Sequence, residues 1–274
     1  MLSVNTNMGA MAALQFLNQT QSDLQTTQSH INSGLKVASA TDNGAVYAIA
    51  QNMRGNVAGY QAVSDSLNRG ISTVDVAISA GQSISDLLNE LKGKALAASD
   101  SSLDTASRNA LNADFTALRD QITTIVQNAS FNGVNLVDGS TANYQALASS
   151  DGTKKITAAG QTLKLSGTVV TIKTTSTIST QSKASTMVAT INSSIQNINA
   201  SLAKLASGVK KFQIQGDFVS KLVDTLNAGI GNLVDADMAT ESAKLQSLQV
   251  KQQLGVQALA IANQAPSITL SLFH

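Results

Sequence analysis

Few residues in this chain have the type and spacing that chemistry requires. The two histidines are His30 and His274. One falls inside a helical pattern and the other at the end, neither has candidate ligands beside it in sequence, and the zinc-peptidase pattern H-E-x-x-H is absent. Asp235-x-Asp237 offers two carboxylates to a cation, but carboxylates opening a helix far more often accept its free N–H groups. Gly229-x-Gly231 lacks the third glycine of a dinucleotide loop and follows a helical pattern instead of a strand. Tyr47, Tyr60 and Tyr144 are too scattered to stack bases. Asn-x-Ser/Thr triplets begin at Asn18, Asn128, Asn192 and Asn199, mostly within helical patterns where so short a match carries little weight. No nucleophile has a base at a workable spacing. The expectation is a protein that is not an enzyme and has neither a cofactor nor a metal.

The composition narrows the class further. There is no cysteine, so no disulfide and no thiolate site. The formal net charge is +1 with 13% charged residues and no basic run, a poor footprint for nucleic acid. No apolar run is long enough to insert in a membrane as a helix. The N-terminus lacks the basic start and A-x-A site of a secretory signal. By general secretion rules the chain stays in the cytoplasm, unless a dedicated export machine reads an uncleaved, unfolded N-terminus. A single proline, Pro266, and 43% hydrophobic residues favour long helices. Abundant Ala, Ser, Thr, Asn and Gln with so little charge suits surfaces that other subunits cover.

The elements follow from periodicity. The longest stripe runs through Val188, Ile191, Ile195, Ile198, Leu202, Leu205, Val209, Phe212, Gly216, Val219, Val223, Leu226, Ile230 and Leu233. Steps alternating between three and four residues put these on one face of a helix, and only Gly216 interrupts the apolar run. Sustained over so many turns, the pattern reads as a coiled-coil seam about 75 Å long, at ~1.5 Å per residue. Each of its side chains gains roughly 1.5–3 kcal/mol on burial, so partner helices are required.

The partners can be traced in order. Leu14, Leu17, Gln21, Leu24, Gln28, Ile31 and Leu35 form a weaker stripe, followed by a connector over Gly34–Gly44. Val57, Tyr60, Ser64, Leu67, Ile71, Val74, Ile78, Gly81, Ser85 and Leu88 form a second long stripe, ended by Gly93 and the Ser99–Ser102 cluster. Asp104 caps a helix carrying Leu111, Phe115, Leu118, Ile122, Ile125 and Ala129, which stops before the turn pair Asn132-Gly133. Turn pairs and short alternating runs, Leu163 with Leu165 and Val170 with Ile172, predict β-hairpins over 131–182 that rest on the helices. The long helix breaks at Gly229-Ile230-Gly231-Asn232. A last helix starts near Asp235 or Asp237 and continues to about Gln264. It has two stripes, Leu245, Leu248, Gln252, Gly255, Leu259, Ala262 and Val250, Leu254, Ala258, Ile261, Ala265, so it needs more than one neighbour.

The order of elements is nearly a palindrome, which predicts a mainly α fold: a long antiparallel helical coiled-coil bundle with paired N- and C-terminal helices and a small β-hairpin region at the tip. Residues 1–40 pair with 236–274 through Leu14, Leu17, Leu24, Ile31, Leu245, Leu248, Leu254, Leu259 and Ile261. Residues 41–235 form a second domain around Ile191, Ile195, Ile198, Leu202, Leu205, Val209, Phe212, Val219, Leu226 and Ile230.

Two blocks resemble bacterial flagellin, the subunit of the flagellar filament. The first is Ile31-Asn32-Ser33-Gly34-Leu35-Lys36-Val37-Ala38-Ser39-Ala40 with Thr41-Asp42-Asn43-Gly44-Ala45. The second is Leu233-Val234-Asp235-Ala236-Asp237-Met238-Ala239-Thr240-Glu241, with Gln252-Gln253-Leu254-Gly255 and Ala262-Asn263-Gln264-Ala265-Pro266. Phe131-Asn132-Gly133-Val134 also fits, and the details look like the short flagellins of alphaproteobacteria. The resemblance implies a structural subunit that polymerises into the filament for swimming, alone or mixed with sister flagellins. It implies export in an unfolded state through a type III apparatus, escorted by a chaperone, and growth beneath a cap on hook–filament junction proteins. The paired ends would fold on assembly into an inner tube, and the longer helices would form an outer tube. Location would then be extracellular, in the filament.

One segment departs from the family pattern. Many flagellins carry a basic stretch at Leu88–Ala98 that an innate immune receptor recognises. Here Glu90 stands where Arg is usual and Lys94 where Leu is usual, with Lys92 between them, which predicts weak activation of that receptor. Other classes fit less well. A signalling hairpin would need a membrane anchor and charged modification helices, and a filament-embedded enzyme would need a catalytic motif in the middle segment. A hook–filament junction protein shares the terminal helices, but the match across Gln215–Ala265 and the short middle favour a filament subunit.

Overall fold

The computed structural model describes residues 6–271, with side chains to residue 264. The helices are α1 (Met8–Ser33), α2 (Gly44–Ala98), α3 (Thr105–Asn128), α4 (Gln181–Val234) and α5 (Met238–Ser271). Between α3 and α4 lie β1 (Ser130–Phe131), β2 (Val134–Asn135), β3 (Asn143–Leu147) and β4 (Lys155–Ala159). β1 pairs with β2 and β3 with β4, both antiparallel. The fold is mainly helical. It divides into two compact units, residues 1–55 with 225–274 and residues 56–224.

In the 56–224 unit the long stripe is buried as its period requires. Ile191, Ile198, Leu205, Phe212 and Val219 are fully covered, and Ile195, Leu202, Val209 and Val223 pack half-buried against them. The face of α2 that meets them runs through Val63, Leu67, Val74, Ala77, Ile84, Leu88, Leu91, Ala95 and Ala98. It shares Leu67, Val74 and Leu88 with the stripe read from sequence and is rotated slightly from the rest. From α3, Phe115, Ile122 and Val126 complete this core. Gly70 lets α2 come close to an aromatic pair, because a methyl there would lie 2.9 Å from Tyr144 and 3.1 Å from Phe212. Those rings pack edge-on, with centroids 6.2 Å apart.

The turn chemistry worked locally. Asp104 caps α3 by accepting the Ser107 N–H at 2.7 Å. Arg108 closes the preceding helix end, donating to the carbonyls of Ala98 and Asp100 at 2.9 Å and Leu103 at 3.1 Å. Asn132 and Gly133 both take positive φ, 48° and 78°, giving the two-residue hairpin turn between β1 and β2. Asn135 is buried; it donates to the Val126 carbonyl at 2.7 Å and accepts the N–H groups of Val137 and Asp138.

Four expectations change. The run Leu163–Ile172 is not a hairpin of strands. It is a turn closed by Ser166 N–H to Ile172 O at 2.8 Å, and Leu163, Leu165, Val169, Val170 and Ile172 are all buried. The alternation itself holds, with Lys164, Ser166 and Thr171 exposed between the buried residues, but the two runs do not pair as strands. The longer hairpin is β3–β4, with a polar outer face. The long helix does not break at Gly229 and Gly231 but continues to Val234. Those glycines serve close approach: a methyl at Gly229 would meet Met53 at 2.9 Å and one at Gly231 the Asp235 carboxylate at 2.6 Å. α5 continues past Gln264 through Pro266 to Ser271. α2 starts at Gly44, capped by the Asn43 side chain accepting the Val46 N–H at 3.1 Å, and runs through Gly93.

Phe212 fills the centre of this core, so Phe212→Ala should destabilise the protein by about 3–5 kcal/mol. Gly93 lies mid-helix with nothing within 4 Å of an added methyl, and Gly93→Ala should stabilise by about 0.5–1 kcal/mol. Denaturant unfolding checks both, and a Phe212→Ala loss no larger than that of a surface variant would contradict the packing.

Candidate assembly surface

In the unit formed by the chain ends, the two sequence blocks singled out above meet. Leu35 bridges Asp235 in antiparallel fashion. Lys36 donates its N–H to the Val234 carbonyl at 2.8 Å, and Ala236 donates to the Gly34 carbonyl at 2.9 Å. Gly34 takes φ 72°, ending α1 with a left-handed cap whose N–H reaches the His30 carbonyl. The Asp42 carboxylate accepts the N–H groups of Ala38 and Ser39, at 3.0 and 2.9 Å, and folds the connector back. These hydrogen bonds hold its charged form, and the Asp42 pKa lies below the usual Asp value. Val37, Ala50, Ile230 and Val234 are buried in this unit.

Beyond it α1 lies along α5. The covered face of α1 runs through Ala10, Ala13, Leu17, Thr20, Leu24, Thr27 and Ile31, with only Leu24 and Thr27 fully buried. Leu17, Leu24 and Ile31 are on the stripe read from sequence, while Leu14 lies on the outward face. On α5, Leu245, Leu248, Gln252, Gly255, Leu259 and Ala262 face α1, and Leu248 is the buried one. Contacts are close where residues are small, a methyl at Gly255 falling 3.3 Å from Leu17. Gln252 donates to Gln21 at 2.7 Å.

Sequence spacing missed one polar contact. His30 Nδ1 lies 3.1 Å from Glu241 Oε1, with both side chains largely covered. The second Glu241 oxygen and the Thr27 hydroxyl are buried with no hydrogen-bond partner. The residues are 211 positions apart, and only the pairing of α1 with α5 brings them together. Asp237 caps α5, accepting the Thr240 hydroxyl at 2.6 Å and the Ala239 N–H at 3.0 Å. Among the described residues no cluster of three potential metal ligands occurs. His274 lies outside the described residues.

The outward faces of this pair are apolar. Met8, Met11, Leu14 and Phe16 are exposed on α1, Phe16 at 74%. On α5 the second stripe is exposed: Val250, Leu254 and Ile261, the last at 70%. A groove of about 400 Å³ runs between the helices, lined by Phe16, Leu17, Leu248, Leu254 and Gly255 with Asp23 and Lys251 at its rim. Exposed apolar stripes of this length on both helices mark a surface for protein association.

The family match has the same two-ended arrangement. Residues 4–142 match the bacterial flagellin N-terminal helical region, and residues 188–273 match the C-terminal helical region. Flagellin FljK of Caulobacter vibrioides is 55% identical over 272 residues, covering 99% of this chain and 98% of that protein. The chain belongs to the flagellin family. A flagellin of Brucella melitensis is 35% identical over 283 residues and is covered in full along with this chain. The crystal structure of Bacillus cereus flagellin shares the fold, with a TM-score of 0.50 at 18% identity over 56% of this chain and 88% of that one. This flagellin is a structural subunit of the flagellar filament, serving motility by polymerisation, and not an enzyme. Among the described residues no helix is long and apolar enough to cross a membrane.

The Thr240 hydroxyl first, then the Thr240 and Ala239 N–H groups, lower the Asp237 pKa. A carboxylate with a lowered folded pKa stabilises fully above its unfolded value and stops doing so as pH falls through the folded one. The first turn of α5 should therefore loosen on acidification below about pH 4. Asp237→Asn, which still accepts but does not titrate, should remove that dependence. Amide exchange at Ala239 and Thr240 would measure it, and identical pH courses in both proteins would refute the cap's role.

Proposed function

We propose that α1 and α5 of each flagellin, within residues 1–40 and 236–274, form the inner tube of the filament, and that residues 41–235 form the outer tube with 131–182 exposed on it. The observation that carries this reading is the second stripe of α5. Val250, Leu254 and Ile261 are apolar, helically spaced and exposed in the single chain. Neighbouring subunits supply the missing partner. Contacts between subunits related by a helical operator never close on themselves, which yields a filament.

The same imbalance supports folding of the ends on assembly. Among the described side chains of α1 and α5 only Leu24, Thr27 and Leu248 are buried, whereas the 56–224 unit has a continuous core. Two long helices holding so little buried surface do not offset their ordering entropy alone. The chain accordingly leaves the cell unfolded through the type III export apparatus, with an export chaperone, and is added beneath the filament cap on the hook–filament junction proteins. It ends extracellular, in a homopolymer or mixed with sister flagellins.

Leu254→Asp places an unpaired charge where neighbouring subunits pack, at a cost of about 3–5 kcal/mol. The concentration needed for polymerisation should rise at least a hundredfold, while thermal unfolding of the 56–224 unit stays unchanged. Sedimentation and negative-stain microscopy of salt-induced filaments read both. Wild-type polymerisation by Leu254→Asp and Ile261→Asp alike would defeat the inner-tube assignment.

On α2, Glu90 is exposed, Lys92 is half-covered, and Lys94 pairs with Asp114 at 2.6 Å. A receptor that reads a basic stripe meets a carboxylate at Glu90 and a lysine already engaged. This flagellin should activate the innate flagellin receptor poorly. A reporter-cell titration checks it, and potency equal to that of an enteric-type flagellin would refute it.

A further inference from the structure

Pro266 sits inside α5 and has no N–H. In an uninterrupted helix that N–H would donate to the carbonyl four residues back, which belongs to Ala262. The Ala262 carbonyl is not left open. The side-chain amide of Asn7, at the other end of the chain, donates to it at 2.6 Å, in a part-buried position. The same side chain turns its oxygen to α1, accepting the Ala10 N–H at 3.0 Å as the N-cap of that helix. Gly9 lies beside this contact: a methyl there would sit at ordinary packing distance, 3.9 Å from the Ala262 methyl and 3.4 Å from the Asn7 oxygen.

We propose that Asn7 is a clamp between the chain ends, in which one primary amide satisfies both the opening N–H of α1 and the carbonyl that Pro266 orphans in α5. Two features of the residue type make the assignment specific. Among the residues that cap helices well, only Asn and Gln-like amides carry a donor and an acceptor on one rigid plane, and Asn is the strong capping type. Asp, Ser and Thr would cap α1 as well, but Asp has no donor and the hydroxyls are too short to span both helices. The proline makes the acceptor available, since any other residue at 266 would fill the Ala262 carbonyl from within the helix. Cap and proline thus form one unit although they are 259 positions apart in number (266 − 7). The clamp rests on the reading that α1 and α5 pair in the filament, and it adds that their outer ends close together instead of fraying separately.

The test is a double-mutant cycle on the full chain with Asn7→Asp, Pro266→Ala and the combination, read by the critical concentration for polymerisation and by amide exchange in the first turn of α1. Asn7→Asp keeps the cap and removes the donor. In the wild-type background it should raise the critical concentration about tenfold, the size expected for one unsatisfied carbonyl. With Pro266→Ala the N–H of residue 266 takes over, and the effect of Asn7→Asp should shrink to twofold or less. Asn7→Ser, neutral and too short, should behave like Asn7→Asp, which separates the lost donor from the added charge. Equal effects in both backgrounds, or no effect in either, would overturn the clamp. The wild-type chain is the control for the assembly reading: if it does not polymerise, that reading fails, and the cycle is decided by amide exchange in the monomer.

Discussion

A helical apolar stripe must be covered, and the amount of cover available decides the role of every helix in this flagellin. α4 carries a stripe about thirteen turns long, at ~3.6 residues per turn. From Ala184 to Val219 its own chain covers it, with α2, α3 and the β region contributing side chains from three directions. α5 carries two stripes; one faces α1, and Val250, Leu254 and Ile261 of the other stay exposed. The first situation makes a core that a single subunit can keep. The second leaves an exposed apolar surface, the one proposed above to meet neighbouring subunits. Both follow from the same rule applied to different supplies of partners.

The small residues beneath the β region show how that cover is achieved. Ser194, Ser201, Gly208 and Gln215 recur every seven residues along α4, beside the apolar stripe. Ser194 accepts the Thr171 N–H at 3.1 Å, Gly208 lies against Ala158, and Gln215 donates to the Ala148 carbonyl at 3.1 Å. A heptad line of small or polar side chains lets irregular backbone settle on a helix and finds partners for its N–H and C=O groups. Arg119 does the same from α3, donating to the Ser176 carbonyl at 2.8 Å. Segments with almost no regular structure thereby find hydrogen-bond partners on the helices.

What could be read in the sequence was what repeats. The α4 seam, the two stripes of α5, the cap at Asp104 and the turn at Asn132-Gly133 are local patterns with local causes, and each stands in the structure. The sequence predicts hairpins over 131–182 but does not place the strands β3 and β4, because the inward residues Ala146 and Ala158 are too small to mark an apolar face. Gly229 and Pro266 read as breaks because what they meet lies in other parts of the chain, Met53 for Gly229 and Asn7 for the carbonyl that Pro266 leaves, while Gly231 makes room for the nearby Asp235 carboxylate. The offset of the α1 stripe has a similar origin. Ala10, Ala13, Thr20 and Thr27 are covered because they are small enough for close helix approach, and hydrophobicity alone ranks them below Leu14. The His30–Glu241 contact has no sequence signal short of the pairing itself.

The meeting of Leu35 with Asp235 has a consequence for the order of events as the protein is made. Closing a loop of two hundred residues carries an entropic toll, and contacts of such high order form late. Synthesis runs from the N-terminus, so α1 emerges long before α5 exists. Throughout translation α1 is a helix-former without a mate, whereas residues 56–224 gain all of their partners by the time α4 is complete. The chain is thus born with its ends last to fold, and a nascent subunit has slack at its leading end for as long as the ribosome holds the other.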